Sequence, residues 1–164
     1  MPLAFTYPLM KRYTYWPQLF LGITFNYGLI LGWTAIEGQI DIIPIIIYLG
    51  AIFWTLGYDT IYGYQDIKDD EIIGLKSTSI KFKKNPNTFL YICYSMFVLT
   101  LIIIGYLMKL NNFYYFFMLY IFFQIFYSQL KKLEIRNATS CLKIFKSNNF
   151  LGLLVFLTII IGKI

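Results

Sequence analysis

The sequence predicts an all-α polytopic membrane bundle of about five spans, and three observations predict it. Hydrophobic residues make up 59% of the chain and charged residues only 13%, against about 25% charged in soluble domains. Uncharged runs occur at Pro17 to Ile36, Ile42 to Tyr58, Thr88 to Met108, Phe113 to Leu130 and, more weakly, Ser147 to Gly162. Most approach the roughly 20 residues that a helix needs to cross a bilayer. The runs lack the alternation of barrel strands, and a backbone inside lipid must satisfy its own hydrogen bonds, which leaves helices. No repeat or low-complexity linker interrupts the chain, so residues 1–164 read as one transmembrane domain.

Residues 1–16, MPLAFTYPLMKRYTYW, are no secretory signal, because the charges follow the apolar part and no small-residue cleavage site appears. They read as the cytoplasmic end of a helix whose beginning lies elsewhere. Lys11 and Arg12 there can orient the first span or reach a polar site at the membrane surface.

The second run leads into YDTIYGYQDIKDDEIIGLKSTS, residues 58–79, which holds five of the chain's eight carboxylates: Asp59, Asp66, Asp69, Asp70 and Glu71. Carboxylates at the end of a span are costly and so point to function. If one helix continues through this stretch, Asp59, Asp66 and Asp70 share a face. Hard oxygen donors of that kind suit Mg²⁺, which is commonly shared between one or two carboxylates and a phosphate. Lys76, past a helix end expected at Gly74, supplies a point charge for such a phosphate. The plainer alternative is a solvated helical turn in which Lys68 pairs with its acidic neighbours and Asp66 caps backbone amides.

The third and fourth runs are dense in aromatics, above all FYYFFMLYIFFQIFY at 113–127. Packing and lipid contact explain them more simply than a substrate wall does. The stretch LKKLEIRNATSCLKIFKSNNF reads as a basic loop before the last span, and Asn137-Ala138-Thr139 within it fits a glycosylation acceptor on the wrong side of the membrane.

The formal charge is +6, but position matters more than the sum. Twelve of the fourteen Lys and Arg residues flank the first span's start, the second loop and the fourth loop; Lys109 and Lys163 alone lie on the other side. That asymmetry places the acidic motif on the cytoplasmic side, in the inner membrane if the source is bacterial, and removes any need for a nucleic-acid partner. Two cysteines, Cys93 and Cys141, show no metal-ligand spacing, and the absence of histidine excludes a histidine base and the usual zinc and haem sites.

Three segments together carry a resemblance. YDTIYGYQDIKDDEIIGLKSTSIKF resembles the second aspartate-rich motif of the UbiA superfamily of membrane prenyltransferases. YPLMKRYTYWPQLFLG, residues 7–22, is similar to a YP-x-MKR-x-T-x-x-PQ stretch in the members that prenylate 4-hydroxybenzoate. CLKIFKSNNFLGLLVFL, residues 141–157, is similar to their closing CFKAF-x-NN-x-x-GL pattern. The resemblance runs in order over essentially the whole chain. It implies a bundle of nine helices with a cavity open to the membrane, in which Mg²⁺ between two aspartate-rich motifs holds the diphosphate of a polyprenyl donor. By motif position it implies Asp66 and Asp70 as metal ligands, Asp59 and Asp69 supporting them, and Arg12, with Lys11, and Lys76 at the diphosphate or substrate.

The family's first motif, Asn-Asp-x-x-Asp-x-x-x-Asp, is absent from these 164 residues. The resemblance therefore implies the C-terminal part of such an enzyme, with a separate N-terminal fragment carrying the first motif as an expected partner alongside membrane lipids. The activity implied is transfer of a polyprenyl chain to 4-hydroxybenzoate in ubiquinone biosynthesis. A relative using haem, a naphthoate or a glyceryl phosphate as acceptor, or an inactive membrane fragment with a structural role, stands as the alternative.

Overall fold

A computed structural model of the chain describes residues 9–164. The expectation of a helix truncated before Lys11 falls largely on residues 1–8, outside the described residues; 9–13 are helical. Then follow α1 (Pro17–Phe25), α2 (Tyr27–Glu37), α3 (Ile42–Gly63), the short α4 (Ile67–Ile72) and α5 (Thr78–Lys81), and α6 (Pro86–Leu107). After α7 (Asn112–Phe123) the chain widens into a π-helical turn, Gln124–Gln129, and tightens into a 3₁₀ turn, Leu130–Lys132, before α8 (Ala138–Lys163). No strand occurs among the described residues. Five helical stretches are long and apolar enough to cross a membrane: Pro17–Glu37, Ile42–Gly63, Pro86–Leu107, Asn112–Lys132 and Ala138–Lys163. The protein is an all-α integral membrane protein, as its composition predicts.

The helix ends follow local chemistry. Pro17 and Pro86 stand in the first turns of α1 and α6, where a missing N–H costs nothing. Asn111 and Asn137 cap α7 and α8, each accepting from backbone N–H groups of the first turn. Gly38 and Gly74 close α2 and α4 with φ of +72° and +73°, which only glycine adopts without strain.

At the centre stands α3, which packs against α1, α2, α6 and α8, while α7 packs on α8. Lipid tails are as apolar as leucine, so close packing and interhelical polar contacts take over the work that hydrophobic burial does in water. Gly50 presses its backbone onto the Thr100 side chain, and a Cβ at Gly162 would lie 2.8 Å from Cβ of Tyr114. Tyr114 itself donates to the Leu101 carbonyl at 2.7 Å and ties α7 to α6. The aromatic run of α7 divides as a lipid-facing helix should: Phe113, Phe116, Tyr120 and Phe123 are exposed, Tyr114 and Met118 buried.

Two expectations need correction. The stretch before the last span is not a loop beyond residue 137: α8 begins at Ala138, nine residues before the apolar run. Cys141, Ile144, Asn148 and Leu151 form its buried face, while Lys143 and Lys146 point outward, so charges that read as a loop lie on the wet side of an amphipathic helix. The second correction concerns the motif. α3 runs past Tyr58 to Gly63 and stops, with Tyr64 donating to Ile61 and Tyr62 carbonyls in a tightened turn, and Asp66 leaves the helical region at φ −109°, ψ 14°. A Cβ at Gly63 would strike the Ser79 hydroxyl, so the motif loop crosses close to the helix end there. Asp59, Asp66 and Asp70 therefore do not share one helix face.

A candidate active site at the mouth of the bundle

The acidic loop is held in place by polar groups drawn from distant parts of the chain. Gln18, 3% exposed, accepts the backbone N–H of Thr78 at 3.0 Å through its side-chain oxygen. The hydroxyls of Thr60 and Thr78 share a hydrogen bond at 2.6 Å, and Ser79 donates to the Thr60 carbonyl at 2.9 Å. Ser77 caps α5 by accepting from Ile80 N–H. Lys81 lies 4.2 Å over the Trp16 ring, a further tie between loop and first span. In a site walled by apolar helices an unpaired amide or hydroxyl costs far more than in water, so this network specifies one loop position.

The charged residues hang on that frame. Lys11 reaches Asp70 at 3.6 Å, and its charge also acts, without an ion-pair contact, on Asp59, half-buried on the last turns of α3. Asp70 is buried at 7% exposure, on the inner side of α4. The backbone N–H of Lys76 donates to the Lys11 carbonyl at 2.7 Å, and its ammonium donates to the Tyr13 carbonyl at 3.4 Å while lying 5.7 Å from the Tyr15 ring centroid. The structure thus brings Lys11, Asp70 and Lys76 together around the 9–15 segment, with Asp59 within electrostatic range of Lys11 but making no ion pair among the described residues.

It treats the others differently. Asp66 occupies the cap position of α4 without a side-chain capping bond, is exposed, and has no ion-pair partner among the described residues. Asp69 is exposed too, and Glu71 pairs with Lys83 at 2.7 Å instead of with Lys68. Arg12 is exposed and likewise makes no ion pair among the described residues. Of the solvated-turn alternative, the exposure of Asp66, Asp69 and Glu71 fits, whereas the cap by Asp66 is not made and Asp70 is buried.

The fit to Mg²⁺ is that of a shared site. Among the described residues no three acidic, histidine or cysteine groups converge on a point that could hold a metal. Mg²⁺ seldom takes an all-protein cage, and one or two carboxylates with waters and phosphate oxygens suffice. Asp66, with its carboxylate uncommitted, and Asp70, committed only to Lys11, are donors of the right kind for that arrangement.

A cavity of about 410 Å³ opens between α1, α3 and α8, with Asn26, Trp54, Thr55, Tyr58, Asn148 and Asn149 in its wall. Tyr58 in its wall precedes Asp59 on α3, and the lining itself carries no charged side chain. Its polar groups are mutually fixed: the Asn26 amide donates to the Thr55 hydroxyl at 2.8 Å, and the Asn148 oxygen accepts from Trp54 Nε1 at 2.8 Å and from the Tyr94 hydroxyl at 3.3 Å. Sequence reasoning missed Gln18, Asn26 and Thr55. The available signal was their polarity inside otherwise uncharged runs.

Outside the spans, Tyr64 is buried with its hydroxyl unpartnered among the described residues. Burial raises its phenol above the ordinary tyrosine range, helped by Cys141 and Cys93 nearby, so it stays protonated at any physiological pH.

The sequence matches the UbiA prenyltransferase family over residues 1–158. It is 41% identical over 163 residues to a protein of Rattus norvegicus named 4-hydroxybenzoate polyprenyltransferase, mitochondrial, covering 99% of this chain and 43% of that one. The Homo sapiens protein of the same name is 41% identical, with 99% and 44% covered. Its Arabidopsis thaliana namesake is 38% identical, with 98% and 40% covered. The chain thus spans about two fifths of the length of these curated relatives. No solved structure matches.

Proposed function

From the fact that the chain belongs to the UbiA prenyltransferase family, we propose that it forms the diphosphate-gripping part of a membrane enzyme that transfers a polyprenyl chain from polyprenyl diphosphate to 4-hydroxybenzoate in ubiquinone biosynthesis. One observation carries this reading most directly: Lys11 reaches a buried Asp70 at 3.6 Å at the end of an apolar bundle, with an uncommitted Asp66 in the same loop and a polar-lined cavity that includes Tyr58, the residue before Asp59. A solvated surface turn would bury none of these acids, whereas Asp70 is 7% exposed.

In this reading Asp66 and Asp70, with Asp59 and Asp69 supporting, would hold Mg²⁺ against the donor's diphosphate. Held by these carboxylates, Mg²⁺ would supply positive charge against the diphosphate of the donor. Lys76 and Arg12 bind the same leaving group by charge-assisted hydrogen bonds, and Lys11 holds Asp70 in position until they do. The departing diphosphate leaves an allylic cation, which the electron-rich ring of the acceptor attacks; the attacked ring carbon then gives its proton to the released diphosphate, which serves as the base, so the absence of histidine is no obstacle. The cavity beside Tyr58 keeps water from that cation, its aromatic wall contacts the ring or the first isoprene units, and Asn149 offers a hydrogen bond to the acceptor. The motif end of the bundle is proposed to face the cytoplasmic side, by the basic asymmetry.

The family's first motif is absent from this sequence, and we propose that a polypeptide carrying it supplies the opposite wall. The test is Mg²⁺-dependent incorporation of labelled polyprenyl diphosphate into 4-hydroxybenzoate by membranes of a host lacking its own enzyme. Activity is expected when residues 1–164 are co-expressed with a polypeptide bearing the first motif, and not from residues 1–164 alone. Failure of the pair with 4-hydroxybenzoate, but transfer to another acceptor, would overturn the acceptor assignment. Clear activity from residues 1–164 alone would overturn the account of the metal site.

A further inference from the structure

Between α7 and α8, at the same end of the bundle as the motif loop, lies an open cleft of about 510 Å³. Gln124 and Ser128 line it from the widened end of the fourth span; Lys132 stands at the turn, and Ser140, Lys143 and Ser147 face it from α8. The spacings of four on one helix, and of three and four on the other, put each set on one face. Among the described residues neither Lys132 nor Lys143 has an ion-pair partner or lies over an aromatic ring, in contrast to Lys131, which sits 4.6 Å above the Tyr127 ring. The one acid in the wall, Glu134, accepts from the Asn137 amide at 3.3 Å. Neither the Ser128 hydroxyl nor the Gln124 amide has a partner among the described residues. Ser147 spends its hydroxyl on the Ile144 carbonyl and Thr139 spends its own on Asn137, which leaves Lys132, Lys143, Ser128 and Gln124 among the free donors; two lysines against one acid favour an anion with several oxygens.

A second observation says what the rest of that ligand looks like. Further into the membrane along the same seam runs an apolar trough, also of about 510 Å³, lined by Phe116, Phe117, Leu119, Tyr120 and Leu154. Tyr120, Gln124 and Ser128 follow one another at four-residue spacing, and Leu154 lies two turns below Ser147, so the trough continues the cleft on the same faces. Tyr120 and Gln124 are about 6 Å apart along the helix axis, which is the depth of a headgroup. A free phosphate needs only the cleft; a molecule with a charged head and an apolar tail matches both. Basic pockets between spans on the inner face attract anionic headgroups, at a strength that grows with each lysine.

We propose that this seam is a binding site for an anionic phospholipid, its headgroup phosphate between Lys132 and Lys143 and one acyl chain in the trough beside Phe116, Tyr120 and Leu154. The site is independent of the enzymatic reading above, being on the other side of α8 from the cavity at Asn148.

The 164-residue chain, delipidated in a neutral detergent, is titrated with dioleoylphosphatidylglycerol or dioleoylphosphatidylcholine and bound lipid is counted by native mass spectrometry. Phosphatidylglycerol is expected to bind at least about tenfold more tightly, and K132Q/K143Q to weaken it roughly 30-fold while leaving phosphatidylcholine unchanged. K109Q/K163Q, at the opposite end, should have no effect. Leu154→Trp fills the trough without touching charge and should also weaken phosphatidylglycerol, which keeps the test decisive if the double lysine variant folds poorly. Inorganic phosphate at 10 mM should not displace the lipid. Equal affinity for the two lipids, full binding by K132Q/K143Q and Leu154→Trp, an equal loss in K109Q/K163Q, or displacement by phosphate would each overturn the proposal.

Discussion

The two basic loops at one end of the bundle are built on opposite plans. Residues 64–85 mix acids with bases and are fastened by buried hydroxyls and Gln18, so that the charges are held where the backbone puts them. The turn at 130–137 carries an excess of bases over a single acid, and its lysines stay exposed with no comparable anchoring network. The first arrangement invests in position; the second leaves charge free to meet whatever lies at the membrane surface. Similar composition therefore says little about role until the partners of each charge are known.

The sharpest way to break the comparison is at the two aspartates. In the complete assembly Asp66→Ala and Asp70→Ala should each cut transfer by on the order of a hundredfold or more, in Mg²⁺-dependent turnover assays at saturating donor. They should differ in stability: Asp66→Ala, which removes no contact, should melt as the parent does, while Asp70→Ala strands Lys11 and should melt lower. Near-parental turnover of Asp66→Ala at equal expression would return the loop to a solvated turn. Arg12→Ala and Lys76→Ala come next, with losses of roughly 10- to 150-fold, the range expected for a charge-assisted contact to the leaving group.

Gln18→Ala tests whether the loop is positioned and not merely present. It strands the buried Thr78 N–H and should cost about 1–3 kcal/mol, read as a lower melting temperature in detergent. Tyr64→Phe should be neutral or slightly stabilising, because it removes a buried hydroxyl that pairs with nothing described. Loss of activity without loss of stability in Tyr64→Phe would show that its hydroxyl meets a group from outside the chain. Smallest of all is Lys83→Ala, which opens the exposed pair with Glu71 and should shift stability by less than about 1 kcal/mol.

These expectations show what a single sequence can carry. The five spans were legible because lipid imposes length and apolarity residue by residue, with no need to know the neighbours. The acidic motif was legible for the same reason, since carboxylates beside a span stand out. The break at 64–66 was not, because it depends on the Ser79 hydroxyl crossing Gly63, a contact between segments that no local period reports. Gln18 was invisible as an anchor for a similar reason: its partner, Thr78, lies 60 residues away. The start of α8 was hidden by its own lysines, which a hydropathy run counts as loop and a helix simply turns outward.

Asn26 interrupts the first span and is wired into the second, and this carries a consequence for how the protein is made. Its partner Thr55 follows it by 29 residues. At a synthesis rate of about 5–20 residues per second, the first span waits roughly 1.5–6 s for that hydroxyl. In the meantime the Asn26 amide can donate to the Gly22 carbonyl one turn back, at 2.8 Å, so the span enters the bilayer with its polar group already occupied. Trp54 has no such local substitute and waits 94 residues for Asn148. The bond between the second and last spans therefore forms only when the chain is nearly complete, and Asn148→Ala should lower the melting temperature in detergent by leaving the Trp54 indole N–H without its partner.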